Sequence, residues 1–275
     1  MTMQHAENAG GQPPVGLPPM QLTPGNVIRA LQSRFPWLLE AKAATQRTVR
    51  RVLRQPFEPE FRLLGRIELG AGAILDIGAN RGQSIDAIRL FQPTARIEAF
   101  EPNGFLADQL ARRHASDGAL QLNRFGLGDV PARAPLHVPY YCGFMYDGLA
   151  SFDRAEAAGW IGPHSMAWFD ARRLETREVV CEVRMLDELS LEPSFVKMDV
   201  QGFEPHVLEG GARTLRRHKP LILMENSPGA EGWLAREGWI GCAWRGDRLE
   251  AGARGDNNSI YYHIERRDQV AHLLA

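Results

Sequence analysis

The stretch Ala73-Ile-Leu-Asp-Ile-Gly-Ala-Asn-Arg-Gly82 decides the fold. Its first five residues, Ala73–Ile77, form a short apolar run whose length and glycine flank predict a buried strand. Gly78 permits a sharp turn and a close approach of a ligand to the backbone, and Asn80 tolerates a left-handed conformation. The apolar spacing in Gln83–Phe91 predicts a helix, whose first N–H groups are free to bind a ligand. The stretch therefore predicts a strand, a turn with a ligand site, and a helix.

The same alternation continues along most of the chain. Further strands are predicted at Arg96–Phe100, Ala119–Phe125, Ser194–Val200 and Pro220–Glu225, and further helices at Gly104–His114, Pro205–Arg217 and Glu231–Glu237. Strands that alternate with helices predict an α/β fold, in which a parallel sheet is covered on both faces. The last two predicted strands, Trp239–Trp244 and Ser259–Ile264, are expected to form an antiparallel hairpin at the sheet edge.

The chain divides into three regions by composition. Residues 1–25 are rich in Gly and Pro and predict a flexible tail, residues 26–66 predict an N-terminal helical segment, and residues 67–275 predict the main domain. Within that domain, residues 130–184 interrupt the alternation, although Leu136–Val138 and Val179–Val183 are predicted to pair. Because long insertions often carry function, we expect a lid over a substrate site. The alternative is a structural excursion with its own small core.

The composition excludes several classes of protein. With 32 Lys and Arg against 33 Asp and Glu among 275 residues, the net charge of -1 argues against wrapping a nucleic acid. The three cysteines form no C-x-x-C pair, which argues against a disulfide scaffold or a cysteine zinc site. Neither a signal peptide nor an apolar run of the ~20 residues that span a bilayer is visible. We therefore expect a cytoplasmic protein without a transmembrane segment; its oligomeric state has no signature in the sequence.

A nucleoside ligand is indicated by an acidic residue after the second predicted strand. Glu101 follows the glycine turn at close to the ~20-residue offset of a carboxylate that binds ribose hydroxyls. The dinucleotide fingerprint G-x-G-x-x-G is absent, because Asn80 and Gln83 occupy its second and third glycine positions. This argues against a nucleotide-linked oxidoreductase. The acidic Asp76 would repel a pyrophosphate and suits a ligand with a cationic head, such as S-adenosylmethionine.

Five motifs occur in order along the chain: Asp76–Gly82, Glu101–Asn103, Leu127–Asp129, Lys197–Glu204 followed by Leu208–Ala212, and Pro220–Glu225. Together they resemble the FkbM family of S-adenosylmethionine-dependent methyltransferases. The resemblance implies a class I Rossmann-like methyltransferase fold, with a mostly parallel seven-stranded sheet, an antiparallel last strand and the insertion before the fourth strand. It also implies methyl transfer to a hydroxyl of a sugar, a polyketide or a related small metabolite.

The resemblance also implies which residues bind the cofactor. They are Asp76, Gly78, Asn80, Gly82, Glu101 and Asn103, with Gly126 and Asp129 beside the adenine. One position departs from the family pattern Lys-x-Asp-x-Glu-Gly, because Gln201 stands where Glu is expected. The amide keeps the hydrogen-bonding reach but loses the charge, so a role at this position that requires a carboxylate is not supported.

Methyl transfer to an alcohol needs an in-line acceptor and a group that takes its proton. Asp199, at the end of the fourth strand, is our first candidate for this base; Glu225 ends the neighbouring strand and could share the work. Lys197 lies on the same strand face as Asp199 and could pair with it. His164 and His206 are secondary candidates for the base. Asp199, Glu204 and Glu225 could supply oxygen ligands to a Mg²⁺ ion, although nothing in their spacing demands a metal.

We therefore expect an S-adenosylmethionine-dependent O-methyltransferase that acts on a small-molecule acceptor and not on a nucleic acid. Two alternatives remain open at this point. The first is transfer to a nitrogen instead of an oxygen. The second is a protein that keeps the cofactor site but has lost the chemistry, which the glutamine in the fourth motif would permit.

Overall fold

The computed structural model describes residues 53–275, together with Thr23, residues 25–28, Ala30, Thr45 and residues 49–50. Almost all of the predicted tail and a large part of the predicted helical segment, residues 26–66, lie outside the described residues. Residues 25–28 are helical, and all of them except residue 25 belong to that segment. Pro59–Gly65 forms a 3-10 helix that buries three apolar side chains.

Residues 53–275 contain strands β1 (Ala73–Ile77), β2 (Ile97–Phe100), β3 (Leu120–Asn123), β4 (Gly126–Leu127), β5 (Ala132–Tyr141), β6 (Phe144–Met145), β7 (Leu174–Arg184), β8 (Pro193–Met198), β9 (Leu221–Glu225), β10 (Trp239–Arg245), β11 (Arg248–Ala251) and β12 (Asn258–His263). The α-helices in the same residues are α1 (Gln83–Phe91), α2 (Gly104–Arg113), α3 (Arg154–Gly159), α4 (Glu204–Gly210), α5 (Ala212–His218) and α6 (Pro228–Arg236). The predicted alternation of strands and helices is confirmed.

Eight strands form the main sheet in the order β11-β10-β12-β9-β8-β1-β2-β3. The strands β3, β2, β1, β8 and β9 are parallel to one another, whereas β12 lies antiparallel between β9 and β10. The sheet is therefore mixed, with a long parallel part. The carboxyl ends of its parallel strands meet at one edge, which is where ligands bind in open α/β sheets.

The predicted number of seven strands is wrong by one, because β11 adds an eighth strand at the edge. Gly246 and Asp247 join β10 to β11 with φ angles of 51° and 69°, a conformation that closes two-residue hairpins. The predicted connector thus contains a strand, and its Leu249 is fully buried. The predicted antiparallel pairing of the last two strands is confirmed, but β12 lies inside the sheet and not at its edge.

The single helix predicted at Pro205–Arg217 is two helices, α4 and α5, because the chain breaks at a pair of glycines. Gly211 between them has φ −112° and ψ 8°. A Cβ atom on Gly210 would lie 1.8 Å from the carbonyl oxygen of Gly128. The end of α4 therefore packs directly on the backbone of the loop after β4, and only glycine permits this contact.

The insertion is a folded layer with its own sheet, in the order β4-β7-β5-β6. Leu136 pairs with Val179, so the predicted pairing within the insertion is confirmed. The side chains that join this sheet to α2 are Leu106, Leu136, Val138, Met145 and Cys181. The insertion thus packs against the main domain near the carboxyl edge of β2 and β4.

Two apolar layers cover the main sheet. One contains Ile74 and Ile85, and the other contains Leu75 and Leu208. Because successive residues of a strand point to opposite faces, β1 contributes to both layers and is buried along its whole length. No helix in the described part of the chain is both long enough and apolar enough to cross a membrane.

Candidate active site

The turn between β1 and α1 brings the backbones of two strands into direct contact. Gly78 has a φ of +79°, and a Cβ atom there would lie 1.9 Å from the carbonyl oxygen of Asp199. The ammonium group of Lys197 donates a hydrogen bond to the carbonyl oxygen of Gly78 at 2.9 Å. Asn80, two residues on, also has a positive φ, of 47°. The turn after β1 and the end of β8 are therefore held together without space for a side chain.

Glu101 holds its carboxylate at the same edge of the sheet. Its Oε2 accepts a hydrogen bond from the backbone N–H of Asn80 at 2.7 Å, and its Oε1 accepts one from the N–H of Asn103 at 2.9 Å. Burial raises the pKa of Glu101 to about 7, against the lowering effect of these two hydrogen bonds. Two N–H groups thus orient the carboxylate, which keeps lone pairs for a ligand.

A cleft of about 720 Å³, measured with its open mouth, lies over the carboxyl ends of β1, β2 and β8. The predicted site residues that line it are Gly78, Asn80, Glu101, Asn103, Gly126 and Asp199. The insertion supplies the opposite wall, which includes Leu136, Asp147, Gly148, Ala150 and Phe152. The structure therefore brings together most of the predicted cofactor residues and one of the three predicted catalytic residues.

Asp76 and Lys197 lie beneath the cleft and do not line it. The side chain of Asp76 is fully buried; its Oδ2 accepts from the hydroxyl of Ser84 at 2.6 Å, and its Oδ1 is 3.7 Å from the Nζ of Lys197. Burial raises the pKa of Asp76, although Lys197 and Ser84 oppose the shift. Burial lowers the pKa of Lys197, but the carboxylates of Asp199 and Asp76 outweigh it, so the net shift is upward. These groups support the floor of the cleft.

Two further predicted cofactor residues also lie away from the cleft lining. Gly82 precedes α1 with a φ of +75°, and a Cβ atom there would lie 2.7 Å from the guanidinium of Arg113. The Oδ2 of Asp129 is 3.0 Å from the Nδ1 of His206, and this contact lowers the pKa of Asp129. Of the secondary candidates for the base, His206 is thus paired outside the cleft, and the backbone carbonyl of His164 accepts from Asn26 at 3.1 Å.

Gln201 bridges the two acidic residues that were predicted to be catalytic. Its Nε2 donates to the Oδ1 of Asp199 at 2.8 Å and to the Oε2 of Glu225 at 3.0 Å. Burial raises the pKa of Glu225 to about 7, and the charges of Asp199 and Glu204 raise it as well. Both hydrogens of the amide are used, so Gln201 orients two carboxyl groups that would otherwise repel each other.

Some interactions at this edge have no signal in the sequence. Arg81 and Asp147 form an ion pair with two hydrogen bonds, Nε–Oδ2 at 2.8 Å and Nη2–Oδ1 at 2.7 Å. It joins the turn after β1 to the insertion, and the two residues are far apart in the chain. Burial raises the pKa of Glu58, before the 3-10 helix, to about 7, and the charge of Lys197 opposes this shift. Single acidic residues in loops carry no motif, so only the tertiary structure reveals them.

The cleft fits a nucleoside. The carboxylate of Glu101 offers acceptors to a diol, and Gly78 and Gly126 leave room for a ring against the backbone. The Oδ1 of Asn80 is buried and has no hydrogen-bond partner among the residues described, so a ligand could satisfy it. Within the described ranges, no three His, Cys, Asp or Glu side chains are arranged to hold a metal ion.

A family model described as methyltransferase FkbM domain matches residues 76–247, well over half of the chain. No curated protein sequence matches the chain.

Three solved structures share weak similarity with the chain. The methyltransferase FkbM of Methylobacillus flagellatus is 16% identical with a TM-score of 0.44, covering 70% of this chain and 44% of its own. A precorrin-6y C5,15-methyltransferase of Geobacter metallireducens is 14% identical with a TM-score of 0.35, covering 73% of this chain and 82% of its own. The O-methyltransferase segment of StiE is 13% identical with a TM-score of 0.32, covering 76% of this chain and 53% of its own. The chain thus spans less than half of the first of these proteins.

Proposed function

Because the chain belongs to the family of methyltransferase FkbM domains, we propose that it uses S-adenosylmethionine to methylate a hydroxyl group of a small metabolite, such as a sugar or a polyketide. The observation that carries this proposal is the carboxylate of Glu101, which two backbone N–H groups hold at the wall of the cleft. A carboxylate in this position can accept both hydrogen bonds of a ribose diol.

The cofactor site is formed by residues from three strand ends. Glu101 and Asn103 would hold the ribose, Gly78 and Asn80 would lie against the amino-acid part, and Gly126 would face the adenine. Asp76 and Gly82 act from outside the cleft lining, because they fix the turn after β1 and the start of α1. Asp129 would contribute only through the loop that it ends, since its carboxylate is held by His206.

The acceptor hydroxyl is activated at the end of the cleft nearest to β8. S-adenosylmethionine held there would supply an electrophilic methyl group, so that the acceptor oxygen would gain a C–O bond as the C–S bond breaks and the sulfur keeps its electron pair. Asp199 takes the hydroxyl proton, because its side chain is 39% exposed at the cleft and carboxylates serve as general bases. Gln201 and Glu225 orient Asp199, and Lys197 places a positive charge 3.6 Å from its Oδ2.

The insertion, residues 130–184, serves as the lid of this site within a domain that spans residues 67–275. Asp147, Gly148 and Phe152 cover the cleft, and the ion pair between Asp147 and Arg81 closes the lid on the cofactor turn. A closed lid excludes water from the reacting atoms. We expect opening of this ion pair to speed the entry and the release of a ligand.

Calorimetric titration with S-adenosylmethionine tests the cofactor site directly. We expect Glu101→Ala to weaken binding at least about tenfold, as loss of hydrogen bonds to a charged group does. The matched control is Glu98→Ala, because Glu98 lies on β2, just before Glu101, but binds Arg96 and Asn123 outside the cleft. If the wild-type protein does not bind S-adenosylmethionine, or if Glu101→Ala binds it normally, the proposed function is wrong.

A second assay tests the acceptor chemistry. The protein is incubated with methyl-labelled S-adenosylmethionine and a panel of glycosides and polyketide-like alcohols, and the labelled product is analysed. A methyl group on oxygen supports the proposal. A methyl group on nitrogen keeps the methyltransferase but overturns O-methylation, and tight cofactor binding without transfer to any compound favours a protein that has lost the chemistry.

A further inference from the structure

The turn between β1 and α1 is held from its outer side by Arg113, the last residue of α2. Its Nη1 donates a hydrogen bond to the carbonyl oxygen of Arg81 at 2.6 Å, and its Nη2 donates one to the carbonyl oxygen of Gly82 at 3.0 Å. One guanidinium group thus binds two successive carbonyl groups of the main chain. Arg113 belongs to none of the five motifs and does not line the cleft.

The turn that Arg113 binds has a backbone conformation that needs support from outside. The φ angles of Gly78, Asn80 and Gly82 are +79°, +47° and +75°, and a left-handed asparagine costs free energy that the surrounding structure must offset. A Cβ atom on Gly82 would lie 2.7 Å from the guanidinium of Arg113 and 2.7 Å from the side chain of Leu110. The end of α2 therefore packs directly on the turn.

The ion pair that Arg113 forms does not explain this arrangement. Its Nη2 is 2.9 Å from the Oδ2 of Asp86 in α1, but the two side chains are 30% and 41% exposed. Ion pairs with this exposure contribute little to stability, because solvent screens them and both side chains lose entropy. A lysine would serve such a pair equally well. The planar guanidinium, with donors on three nitrogen atoms, is suited to two neighbouring carbonyl groups, whereas a lysine offers one nitrogen.

The main chain that Arg113 holds carries a side chain that contacts the lid. The guanidinium of Arg81 forms two hydrogen bonds with the carboxylate of Asp147, at 2.8 and 2.7 Å, and lies 6.0 Å from the ring centre of Phe144. Because the carbonyl group of Arg81 is fixed, its side chain leaves the turn in a defined direction. A chain of direct contacts therefore runs from the end of α2 through Arg81 to Asp147, which lines the cleft.

We propose that Arg113 is a positioning residue of the methyl-transfer site, which fixes the main chain of Arg81 and thereby stabilises the closed lid. Its role rests on the proposed function, in which the lid covers bound S-adenosylmethionine. Arg113 touches neither the cofactor nor the acceptor. The start of α2 is capped by Asn103, whose N–H group binds Glu101. One helix thus supports the ribose side of the site at its first turn and the lid contact at its last.

Hydrogen exchange in the ligand-free protein, followed by mass spectrometry, measures how firmly the lid is held. Residues 144–150 form the lid tip, and N–H groups within it are hydrogen-bonded, among them those of Tyr146, Leu149 and Ala150. Their exchange requires local opening. We expect Arg113→Met to speed exchange of the lid tip about tenfold, because hydrogen bonds from a charged group are lost, and to leave β10 and β11 unchanged. Asp147→Asn should have a similar effect.

Two further variants separate the carbonyl bonds from the ion pair. Asp86→Asn is the matched control, because it removes the ion pair of Arg113 and leaves both carbonyl bonds in place; the lid tip should exchange at the wild-type rate. Arg113→Lys keeps the charge but cannot bind both carbonyl groups in one plane, so it should speed exchange of the lid tip less than Arg113→Met does. This variant keeps the test available if Arg113→Met does not fold.

A double variant tests whether Arg113 acts through the ion pair of the lid. If it does, Arg113→Met combined with Asp147→Asn should exchange the lid tip about as fast as the faster single variant. If the two residues act independently, their effects multiply to about a hundredfold, and the proposed connection is overturned. Unchanged exchange of the lid tip in Arg113→Met also overturns it. Faster exchange throughout the protein, β10 and β11 included, shows a general loss of stability and has the same consequence.

Ligand release connects these results to the proposed function. Dissociation of S-adenosylhomocysteine, measured by stopped-flow fluorescence, should be about tenfold faster in Arg113→Met and unchanged in Asp86→Asn. If the wild-type protein binds neither S-adenosylmethionine nor S-adenosylhomocysteine, the proposed function fails, and the exchange experiment alone decides whether Arg113 holds the lid. If both nucleosides bind but release from Arg113→Met is unchanged, the cofactor site stands and the positioning role is overturned.

Discussion

The ammonium of Lys197 is bonded to the carbonyl oxygen of Gly78 at 2.9 Å, which places a buried positive charge directly under the turn after β1. The same ammonium lies 3.7 Å from Asp76 and 3.6 Å from Asp199. One side chain thus neutralises the fully buried carboxylate of Asp76 and fixes the turn that lines the cleft.

Replacing Lys197 should therefore destabilise the whole domain. Lys197→Met leaves Asp76 buried without a cation, and loss of one partner of a buried ion pair costs about 3–5 kcal/mol. Chemical denaturation measures the free energy of unfolding. Lys219→Met is the control, because Lys219 pairs with the exposed Glu265 and such pairs contribute about 0–1 kcal/mol. Equal stability of the two variants would contradict the role assigned to Lys197.

The contact between Gly78 and Asp199 leads to a second prediction. Gly78→Ala introduces a Cβ atom 1.9 Å from a carbonyl oxygen at a φ of +79°, so we expect a loss of about 2–5 kcal/mol from overpacking and the left-handed conformation. Thermal denaturation checks this. Gly104→Ala is the matched control, because a Cβ atom there would enter open space and its φ is not positive. A soluble Gly78→Ala protein with normal stability would refute the close contact.

The ion pair between Arg81 and Asp147 is expected to control the exchange of cofactor. In Asp147→Asn the lid opens more easily, so S-adenosylhomocysteine should dissociate about tenfold faster, and association should also be faster. Stopped-flow fluorescence measures both rates. Asp117→Asn is the control, because Asp117 forms a similar two-bonded pair with Arg89 away from the cleft. Unchanged rates in Asp147→Asn would show that this pair does not hold the lid.

Stability in the absence of ligand should fall as the pH rises. The pKa values of Glu58, Glu101 and Glu225 are each raised from 4.5 to about 7 by burial. A folded state with a raised carboxyl pKa binds more protons than the unfolded state between these values, so its stability is fully present below pH 4.5 and is lost up to about pH 7. The melting temperature should therefore decrease as the pH is raised from 4.5 to 8.

A variant series identifies the groups responsible for this slope. Glu225→Gln removes one of the three titrations and should flatten the dependence of melting temperature on pH. Gln201→Glu should steepen it, because a third carboxylate would replace the amide that donates to Asp199 and Glu225. The exposed Glu250 on β11 serves as control, since Glu250→Gln should leave the slope unchanged. A flat wild-type profile would contradict the raised pKa values.

The parts of the fold that local sequence determines were predictable. The strand Ala73–Ile77 and the helix Gln83–Phe91 have the predicted bounds, because the apolar pattern and the glycine turn act within a few residues. The eighth strand was missed, since its connector has the composition of a loop. The break at Gly211 was missed because it depends on the distant Gly128, which packs against the preceding glycine.

Only the residues of the candidate site that belong to sequence motifs were predictable. Glu101 and Asp199 follow strands of the parallel sheet, so topology alone places them at the cleft. Asp147 lies in a segment without a motif, and its ion pair joins it to Arg81, which is far away in the chain. Asp129 was assigned to the adenine by its position, but the sequence does not show that His206 holds its carboxylate.

The absence of any gap between Gly78 and the carbonyl of Asp199 has a mechanical consequence. The segments that follow β1 and β8 touch through their main chains, and the two strands are hydrogen-bonded neighbours, so we expect the base of the cleft to be rigid. The motion that exchanges ligands is therefore expected in residues 130–184, which form the layer that covers the cleft. Engineering that layer should alter turnover and selectivity while the geometry of the base stays constant.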